Sequence, residues 1–273
     1  MNPASLQIED VAKSYRSQSG ELLALASCSI EIAPEELHVI VGPSGCGKTT
    51  LLNAVAGFQG IDGGVIRLGG ETLCTPERQA EPGADRVVVF QHSTLFPWRT
   101  VLDNVTYGPV IQGRRSRAEA RSLARERLSQ AGLAGLEDRY PAELSSGAQR
   151  RVEIVRALVN EPRVLLLDEP FRGMDQITRD LMHEALLELY DRARPTVLFI
   201  THDIEEAVFL GSRVTAMSAR PGRVKATIEV DLPRPREAGL RASARFNELL
   251  ADILSLVHDE ANRAFVAGDR EAA

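Results

Sequence analysis

Eight consecutive residues form a glycine-rich turn of the kind that captures phosphate groups. They match G-x-x-x-x-G-K-[ST] and are Gly42, Pro43, Ser44, Gly45, Cys46, Gly47, Lys48 and Thr49. Glycines let the backbone N–H groups turn inward around an anion, and the N-terminus of a following helix adds positive potential. Lys48 would reach the terminal phosphates, and the Thr49 hydroxyl would ligate Mg²⁺. The pattern therefore predicts a nucleoside triphosphate site.

Two carboxylates follow an apolar run 120 positions after Lys48 (168 minus 48). The run Val-Leu-Leu-Leu at residues 164–167 ends in Asp168 and Glu169. The carboxyl end of a parallel strand is where α/β folds bind ligands, so Asp168 is placed to hold Mg²⁺ and Glu169 to polarise an attacking water. Such an ending is uninformative alone, but its combination with the glycine-rich turn favours triphosphate chemistry.

Both groups of residues need a buried sheet to position them. Short apolar runs at 37–41, 164–167 and 196–200 predict buried strands, with a helix at about 180–191 between the last two. This βαβ order indicates a parallel sheet and an α/β fold. A helix is predicted at 49–56, directly after the turn, where Gly57 would end it.

The remaining segments predict further elements around that sheet. Residues 6–32 alternate between apolar and polar types, with a break at 17–20, which predicts an antiparallel meander. Helical spacing of apolar residues predicts further helices, and glycine-framed apolar residues predict a short strand. The predicted helices cover 114–130, 148–158 and a C-terminal stretch with apolar residues from Phe246 to Val257, and the strand covers 65–68.

Composition excludes several classes of protein. The 273 residues carry 32 Lys and Arg against 38 Asp and Glu, a net charge of −6, which argues against nucleic acid as the main partner. The three cysteines, Cys28, Cys46 and Cys74, show no CxxC spacing, so neither a disulfide framework nor a zinc site is expected. The N-terminus lacks the pattern of a secretory signal, and no apolar run reaches 18 residues, so we expect any membrane role to be peripheral.

Several ordered segments resemble the ATP-binding subunits of ABC transporters. Leu144-Ser145-Ser146-Gly147 stands where that family has its LSGGQ signature. Gln91 follows a predicted strand at 87–90, as the glutamine of the family's Q-loop does. Asp175 occupies the D-loop position, Thr201-His202-Asp203 matches the switch histidine, and Tyr15 matches the aromatic residue that stacks on adenine. The resemblance runs from about residue 6 to residue 236 and rests on the order and spacing of these segments.

The resemblance implies a P-loop NTPase (RecA-like) core, with a small antiparallel β subdomain (about 6–36 and 60–75) and a helical subdomain (about 92–160). Residues 237–273 would form a C-terminal helical extension. The implied cofactors are ATP and Mg²⁺. The implied catalytic residues are Glu169, His202 and Gln91, and the implied metal ligands are Thr49, Gln91 and Asp168. Nucleotide binding is implied for Tyr15, for residues 42–49, for Thr50 and, toward a second subunit, for Ser145, Ser146, Gly147 and Asp175.

Four segments narrow the resemblance to the nitrate, sulfonate and taurine importers. They are residues 84–92, Leu95-Phe96-Pro97-Trp98, residues 168–171 and residues 221–224. This implies a peripheral ATPase on the cytoplasmic face of a bacterial inner membrane, with transmembrane permease subunits, a second ATPase subunit and, indirectly, a periplasmic substrate-binding protein as partners. Translation-factor and DNA-repair relatives would need two cassettes or a long coiled-coil insertion, and neither is present.

Departures from the family pattern leave alternatives open. Ser146 replaces the first glycine of LSGG, Ala148 stands where glutamine or methionine is usual, and Arg172-Gly173-Met174 replaces Gly-Ala-Leu or Ser-Ala-Leu. A positive φ at Ser146 would strain the backbone. The chain could pair with itself or with a different ATPase, and a regulatory cassette with little hydrolysis is the second function considered. Cys46 lies near a helix N-terminus, which lowers a thiol pKa, although a packing role is the favoured interpretation.

Overall fold

The computed structural model describes residues 2–17 and 20–271, with backbone only for 17, 259 and 261–271, and this part of the chain forms two sheets and seven α-helices. The strands are β1 (Leu6–Ser17), β2 (Gly20–Ile32), β3 (Leu37–Val41), β4 (Gly63–Leu68), β5 (Glu71–Cys74), β6 (Arg86–Val89), β7 (Val164–Asp168), β8 (Thr196–Thr201), β9 (Arg213–Met217) and β10 (Val224–Glu229). The helices are α1 (Lys48–Ala56), α2 (Val101–Ile111), α3 (Arg117–Gln130), α4 (Ser146–Val159), α5 (Gln176–Ala193), α6 (Ile204–Leu210) and α7 (Ala244–Glu271).

The larger sheet has six strands in the order β10-β9-β3-β8-β7-β6, of which all but β10 run parallel. In its register Val41 pairs with Thr201, and Asp168 pairs with Ile200. The carboxyl ends of β3, β7 and β8 therefore meet at one edge of the sheet. The predicted parallel sheet and its three predicted strands are confirmed.

Both faces of this sheet are buried, which explains its nearly continuous apolar strands. Val39, Leu167 and Phe199 point into a core shared with the helices, whereas Ile40 and Leu198 point into a second core. The second core also contains α1 and the inner face of the smaller sheet. Side chains of adjacent strand residues alternate between the two faces, so each strand contributes to both cores.

The smaller sheet is antiparallel, with the strand order β2-β1-β4-β5. Strands β1 and β2 form a long hairpin in which Leu6 pairs with Ile32 and Ser17 pairs with Gly20. The predicted meander over 6–32 is confirmed, and residues 18 and 19 of its break lie outside the described residues. The strand predicted at 65–68 is the later part of β4.

Three packed helices, α2, α3 and α4, lie between β6 and β7 in the chain. Capping side chains determine the residues at which α3 and α4 begin. Ser116 and Glu119 form a capping box, so α3 begins at Arg117 rather than at 114, and Ser145 caps α4, which therefore begins at Ser146 rather than at 148. Helix α2 was not predicted, since Gly108 and Pro109 interrupt its pattern.

Asp175 caps α5, so that helix begins at Gln176, four residues earlier than predicted. The C-terminal helix α7 is confirmed and buries Phe246, Leu249 and Ile253 against the core. Residues 272 and 273 of the predicted extension lie outside the described residues. None of the helices described, over residues 2–17 and 20–271, combines the length and the apolar character needed to cross a membrane.

Candidate functional site

The turn between β3 and α1 has the backbone that a phosphate-binding loop requires. Gly45 and Gly47 adopt φ values of +75° and +95°, a region that side chains disfavour. A Cβ on Gly47 would lie 2.6 Å from Leu25 Cδ2, so the loop also approaches the smaller sheet too closely for any other residue. Gly57 ends α1 in the same left-handed conformation, as the sequence predicts.

Lys48 is buried and lies across the mouth of this loop. Its Nζ donates to the carbonyl oxygens of Gly42 (2.8 Å) and Pro43 (3.1 Å). Cys46 is buried beside it, and burial raises the pKa of the Cys46 thiol, an effect that the charge of Lys48 offsets only in part. Burial therefore supports the packing role that the sequence favours for Cys46 over the alternative of a thiol with a lowered pKa.

Thr49 and Asp168 meet across the edge of the sheet. The Thr49 Oγ1 donates to Asp168 Oδ1 at 3.3 Å, and Thr49 follows β3 and its loop whereas Asp168 ends β7. Burial raises the pKa of the Asp168 carboxyl, the Thr49 hydroxyl lowers it, and the neighbouring Glu169 raises it again. A hydroxyl and a carboxylate are the hard oxygen donors that Mg²⁺ prefers when phosphate oxygens and water complete its shell.

No cluster of three or more histidine, cysteine or carboxylate side chains able to hold a metal exists among the described residues. A dedicated protein cage for a metal is therefore not part of this site. The Thr49 and Asp168 pair fits a metal that arrives with a nucleotide.

Glu169 occupies a strained position at the end of β7. Its φ is +43°, and its backbone N–H donates to the carbonyl of Ile200 on the neighbouring strand β8 (3.0 Å). A non-glycine residue in this region is uncommon and is held there by its surroundings. One carboxylate oxygen, Oε2, lies 3.1 Å from His202 Nδ1 and 3.1 Å from an Arg172 guanidinium nitrogen.

The side chain of Tyr15 is held beside the residue that follows Thr49. Its hydroxyl donates to Gln59 Oε1 (2.7 Å) and lies 3.3 Å from Thr50 Oγ1, while Gln59 Nε2 donates to the Thr50 carbonyl (2.6 Å). The ring is partly exposed and borders the cavity above the loop. Its role in stacking on a base stays a prediction.

A cavity of about 320 Å³ above the loop brings most predicted site residues together. Seven of its lining residues hold the nucleotide in the prediction, one of which, Thr49, also binds the metal, and three further residues act on the metal or the water. These are Tyr15, Ser44, Gly45, Gly47, Lys48, Thr49 and Thr50, followed by Gln91, Asp168 and Glu169. His202 borders a smaller adjoining cavity with Glu169, and Gly42, Pro43 and Cys46 lie in the loop beneath.

Ser145, Ser146, Gly147 and Asp175 do not line this cavity. They lie at the N-termini of α4 and α5, where the side chains of Ser145 and Asp175 act as caps. The two N-termini are adjacent, since a Cβ on Gly147 would lie 3.5 Å from Thr178 Cγ2. Ser146 is the first residue of α4 and is not among the residues with positive φ, so the strain that a positive φ would cause does not arise.

The sequence analysis did not assign several charged residues to this site. Arg172 and Arg220 line the cavity, and Arg150 donates to the backbone carbonyls of Phe90 and Gln91 (both 2.6 Å). Arg150 also pairs with Glu153 at 2.8 Å, and both are buried. Charges spaced three apart on the otherwise apolar face of α4 are a sequence signal that could have revealed this pair.

The site is thus a phosphate loop with a hydroxyl–carboxylate pair and a following glutamate, which defines a P-loop nucleotide-binding cassette. Comparison with known proteins agrees. The family model described as "ABC transporter" matches residues 25–172, more than half of the chain. The chain belongs to the ABC transporter family of ATP-binding proteins, which are ATPases, and the predicted fold and family are confirmed.

Individual relatives cover nearly the whole chain. An uncharacterized ABC transporter ATP-binding protein of Methanocaldococcus jannaschii, MJ0412, is 41% identical over 93% of this chain and 92% of its own length. The taurine import ATP-binding protein TauB of Chromobacterium violaceum is 42% identical over 94% and 99%, which agrees with the predicted subfamily. A dimeric structure of the ABC transporter cassette MJ0796 superposes with a TM-score of 0.70 and 29% identity, covering 84% of this chain and 100% of that one.

Proposed function

We propose that this chain is the ATP-binding and ATP-hydrolysing subunit of an ABC importer, and that it works at the cytoplasmic face of a bacterial inner membrane. The observation that carries the proposal is the contact between Thr49 and Asp168, with Lys48 beneath it and Glu169 beside it. These four residues are the parts that hold a triphosphate with its metal and place a base next to the terminal phosphate.

Each residue of the site has a separate role in ATP binding or hydrolysis in this proposal. Lys48 and the backbone N–H groups of the loop, residues 44–50, bind the phosphates, and Tyr15 stacks on the adenine. Thr49, Asp168 and Gln91 would hold Mg²⁺, whose charge offsets that of the phosphates when it is bound. Glu169 orients the attacking water, and His202, which contacts Glu169, reaches the terminal phosphate.

We further propose that the active form is a dimer. Ser145, Ser146, Gly147 and Asp175 lie outside the chain's own cavity, which fits residues that complete the site of a second subunit. The dimeric structure of the similar cassette MJ0796 supports this arrangement. Because Ser146 is unstrained, its replacement of glycine gives no reason to require a different partner ATPase, so a homodimer is the simpler model.

An apolar groove supports the proposal of permease subunits as partners. The groove has a volume of about 540 Å³ and is lined by residues of α1, β6, α2 and α4 and of the segments that connect them. Phe58 stacks on Phe90 (5.9 Å between centroids), and Phe96 packs edge-on against Tyr107 (5.1 Å) along its wall. Such a groove suits an apolar helix of a partner.

The cargo we propose is a small organic or inorganic anion such as taurine, another sulfonate or nitrate. Relatives named as taurine import ATP-binding proteins support it. A periplasmic substrate-binding protein would deliver the cargo to the permease.

We assign residues 6–236 to the ATPase domain, with a β subdomain at about 6–36 and 60–75 and a helical subdomain at about 92–160. Residues 237–273 form a C-terminal helical extension in this assignment.

The Glu169→Gln variant tests the assignment. It keeps the shape of the side chain but removes the base, so ATP hydrolysis should fall by roughly 10²-fold or more while ATP binding persists. Glu188→Gln on the exposed face of α5 is the matched control and should hydrolyse ATP like the wild type. Steady-state ATPase rates and ATP affinity are measured on both variants in the assembled complex.

Dimers of Glu169→Gln should also accumulate with ATP in light-scattering measurements. Hydrolysis within threefold of the wild type would refute the role of Glu169. A wild-type protein that binds ATP but hydrolyses no faster than Glu169→Gln would instead identify a regulatory cassette.

A further inference from the structure

The loop between β9 and β10, residues 218–223, packs against the phosphate loop. The N–H of Gly222 donates to the Ala24 carbonyl (2.8 Å), and the N–H of Ala26 donates to the Gly222 carbonyl (2.9 Å), so this loop is joined to β2. A Cβ on Gly222 would lie 2.0 Å from the Cys46 carbonyl oxygen. Backbone therefore meets backbone there, and the β9–β10 loop is fixed to the phosphate loop.

The C-terminal helix holds the same loop from its other side. Glu260 of α7 is buried and accepts a hydrogen bond from the Ala219 N–H (3.0 Å). It also pairs with Lys225 of β10 at 3.3 Å. The position of the residue that follows Ala219 is thus set by three neighbours: β2, the phosphate loop and α7.

That residue is Arg220, and its guanidinium lies above Gly45. A Cβ on Gly45 would lie 3.3 Å from the terminal nitrogen of Arg220, and the guanidinium borders the same cavity as Lys48 and Asp168. Arg220 is exposed toward this cavity and makes no hydrogen bond or ion pair with any residue in the described part of the chain.

The other two cations of the cavity already have partners. Lys48 donates to two loop carbonyls, and Arg172 pairs with Glu169. Arg220 alone offers an unshared guanidinium at a loop built for phosphate. A planar guanidinium can donate two parallel hydrogen bonds to one phosphate group, which makes it a strong phosphate ligand.

We propose that Arg220 binds an oxygen of the nucleotide's phosphate chain, as a binding residue contributed from outside the ATP-binding motifs. The proposal rests on the proposed function, since it concerns the same nucleotide. The β9–β10 loop places the guanidinium at the cavity that Asp168 also lines, and α7 fixes that loop through Glu260.

Binding measurements on the full-length chain test this role with two probes. MgATP carries phosphates and a nucleoside, whereas inorganic tripolyphosphate with Mg²⁺ carries phosphates alone. Arg220→Ala should weaken both by about tenfold or more, the effect of one lost charge-assisted hydrogen bond, and Arg220→Lys should recover part of the loss. Arg223→Ala is the matched control, an exposed arginine of the same loop that does not border the cavity, and should bind within about twofold of the wild type.

Three results would overturn the proposal. They are unchanged binding by Arg220→Ala, an equal loss in Arg223→Ala, and a loss for MgATP without a loss for tripolyphosphate, which would place the contact on the nucleoside. Thermal melting of each variant separates a binding defect from unfolding. A wild-type chain that fails to bind MgATP would instead refute the proposed function, so the two failures are distinguishable.

Discussion

At the scale of single residues, Glu169 is held by two side chains at once. His202 and Arg172 both contact Oε2 of its carboxylate, and the backbone of Glu169 has a positive φ. A guanidinium that pairs with this base competes with the attacking water for the same carboxylate oxygen of Glu169. Arg172 replaces the glycine or serine that is usual at this position in the family. The competition for the Glu169 carboxylate therefore arises from this departure from the family pattern.

Replacing Arg172 by glycine should therefore increase hydrolysis. The pair with Glu169 is half exposed on the arginine side, and such pairs contribute about 0.5–1 kcal/mol. Its loss corresponds to a rise of about two- to fivefold in kcat with little change in KM for ATP. Arg172→Lys keeps the charge and should stay near the wild type. A fall in kcat for Arg172→Gly would show instead that Arg172 assists the reaction.

The sequence reveals only those site residues that belong to a local pattern. Lys48 and Thr49 follow from eight consecutive positions, and Asp168 follows from an apolar run. Arg220 belongs to no such pattern, because its place above Gly45 depends on contacts among β2, α7 and the phosphate loop, which are distant in the chain.

At the scale of elements, helix α4 connects two parts of the site. Its N-terminus carries Ser145, and its second turn carries Arg150, which donates to the carbonyl of Gln91. Glu153 accepts a hydrogen bond from the Thr94 N–H, so the segment after Gln91 is fixed to the same helix. A shift of α4 would therefore move Ser145 and the backbone of Gln91 together.

Elements with strong periodicity could be predicted, and the others could not. Strand β3 was predicted to the residue, since its five buried residues, four of them apolar, are followed by a glycine. Helix α6 was missed because its seven residues are too few for a periodic pattern, and it begins where Asp203 caps it. The early start of α5 depends on the Asp175 cap, a signal that precedes the apolar pattern.

The segment between β6 and α2 presents a tryptophan for the proposed permease contact. Trp98 is 71% exposed and packs against Phe96, which lines the apolar groove. Exposed aromatic residues beside such a groove are frequent interface anchors, so Trp98→Ala should weaken assembly with the permease by about 1–3 kcal/mol. The measurement is co-purification and titration of the complex.

The isolated Trp98→Ala chain should melt and bind ATP like the wild type, because the side chain is not part of the core. Leu254→Ala on α7 is the control, an exposed apolar residue outside the groove, and should leave assembly unchanged. Early melting of Trp98→Ala would contradict the role as an interface residue.

At the scale of the whole molecule, the two ends of the larger sheet differ in function, since one end carries the site and the other carries a polar network. The carboxyl ends of β3, β7 and β8 carry the site, and the opposite end is closed by a polar network around Glu36. Glu36 accepts hydrogen bonds from Arg213 of β9 (2.7 and 2.6 Å) and from the Ala33 N–H (2.8 Å), and its Oε1 lies 2.9 Å from His38 Nδ1. This network joins the end of β2 in the smaller sheet to β3 and β9 of the larger sheet.

The network predicts a defined dependence of stability on pH. Burial raises the pKa of Glu36, but hydrogen bonds from His38, Arg213 and Ala33 outweigh it and lower the pKa from 4.5 to about 2. A folded-state pKa below the unfolded value stabilises the fold above pH 4.5, and the stabilisation disappears as the pH falls from 4.5 toward 2. A shift of this size corresponds to about 3 kcal/mol.

Glu36→Gln should therefore lower the free energy of unfolding at pH 7, and that deficit should shrink by about 2 kcal/mol between pH 4.5 and pH 3, because the unfolded carboxyl takes up a proton over this range while the folded one stays ionised. Urea unfolding of both proteins between pH 7 and pH 3 measures the difference. Glu21→Gln on the exposed side of β2 is the control, and its small difference from the wild type should stay constant over that range. A deficit for Glu36→Gln that is equally large at pH 7 and pH 3 would contradict the prediction, because it would show that the stability difference does not depend on the ionisation of Glu36.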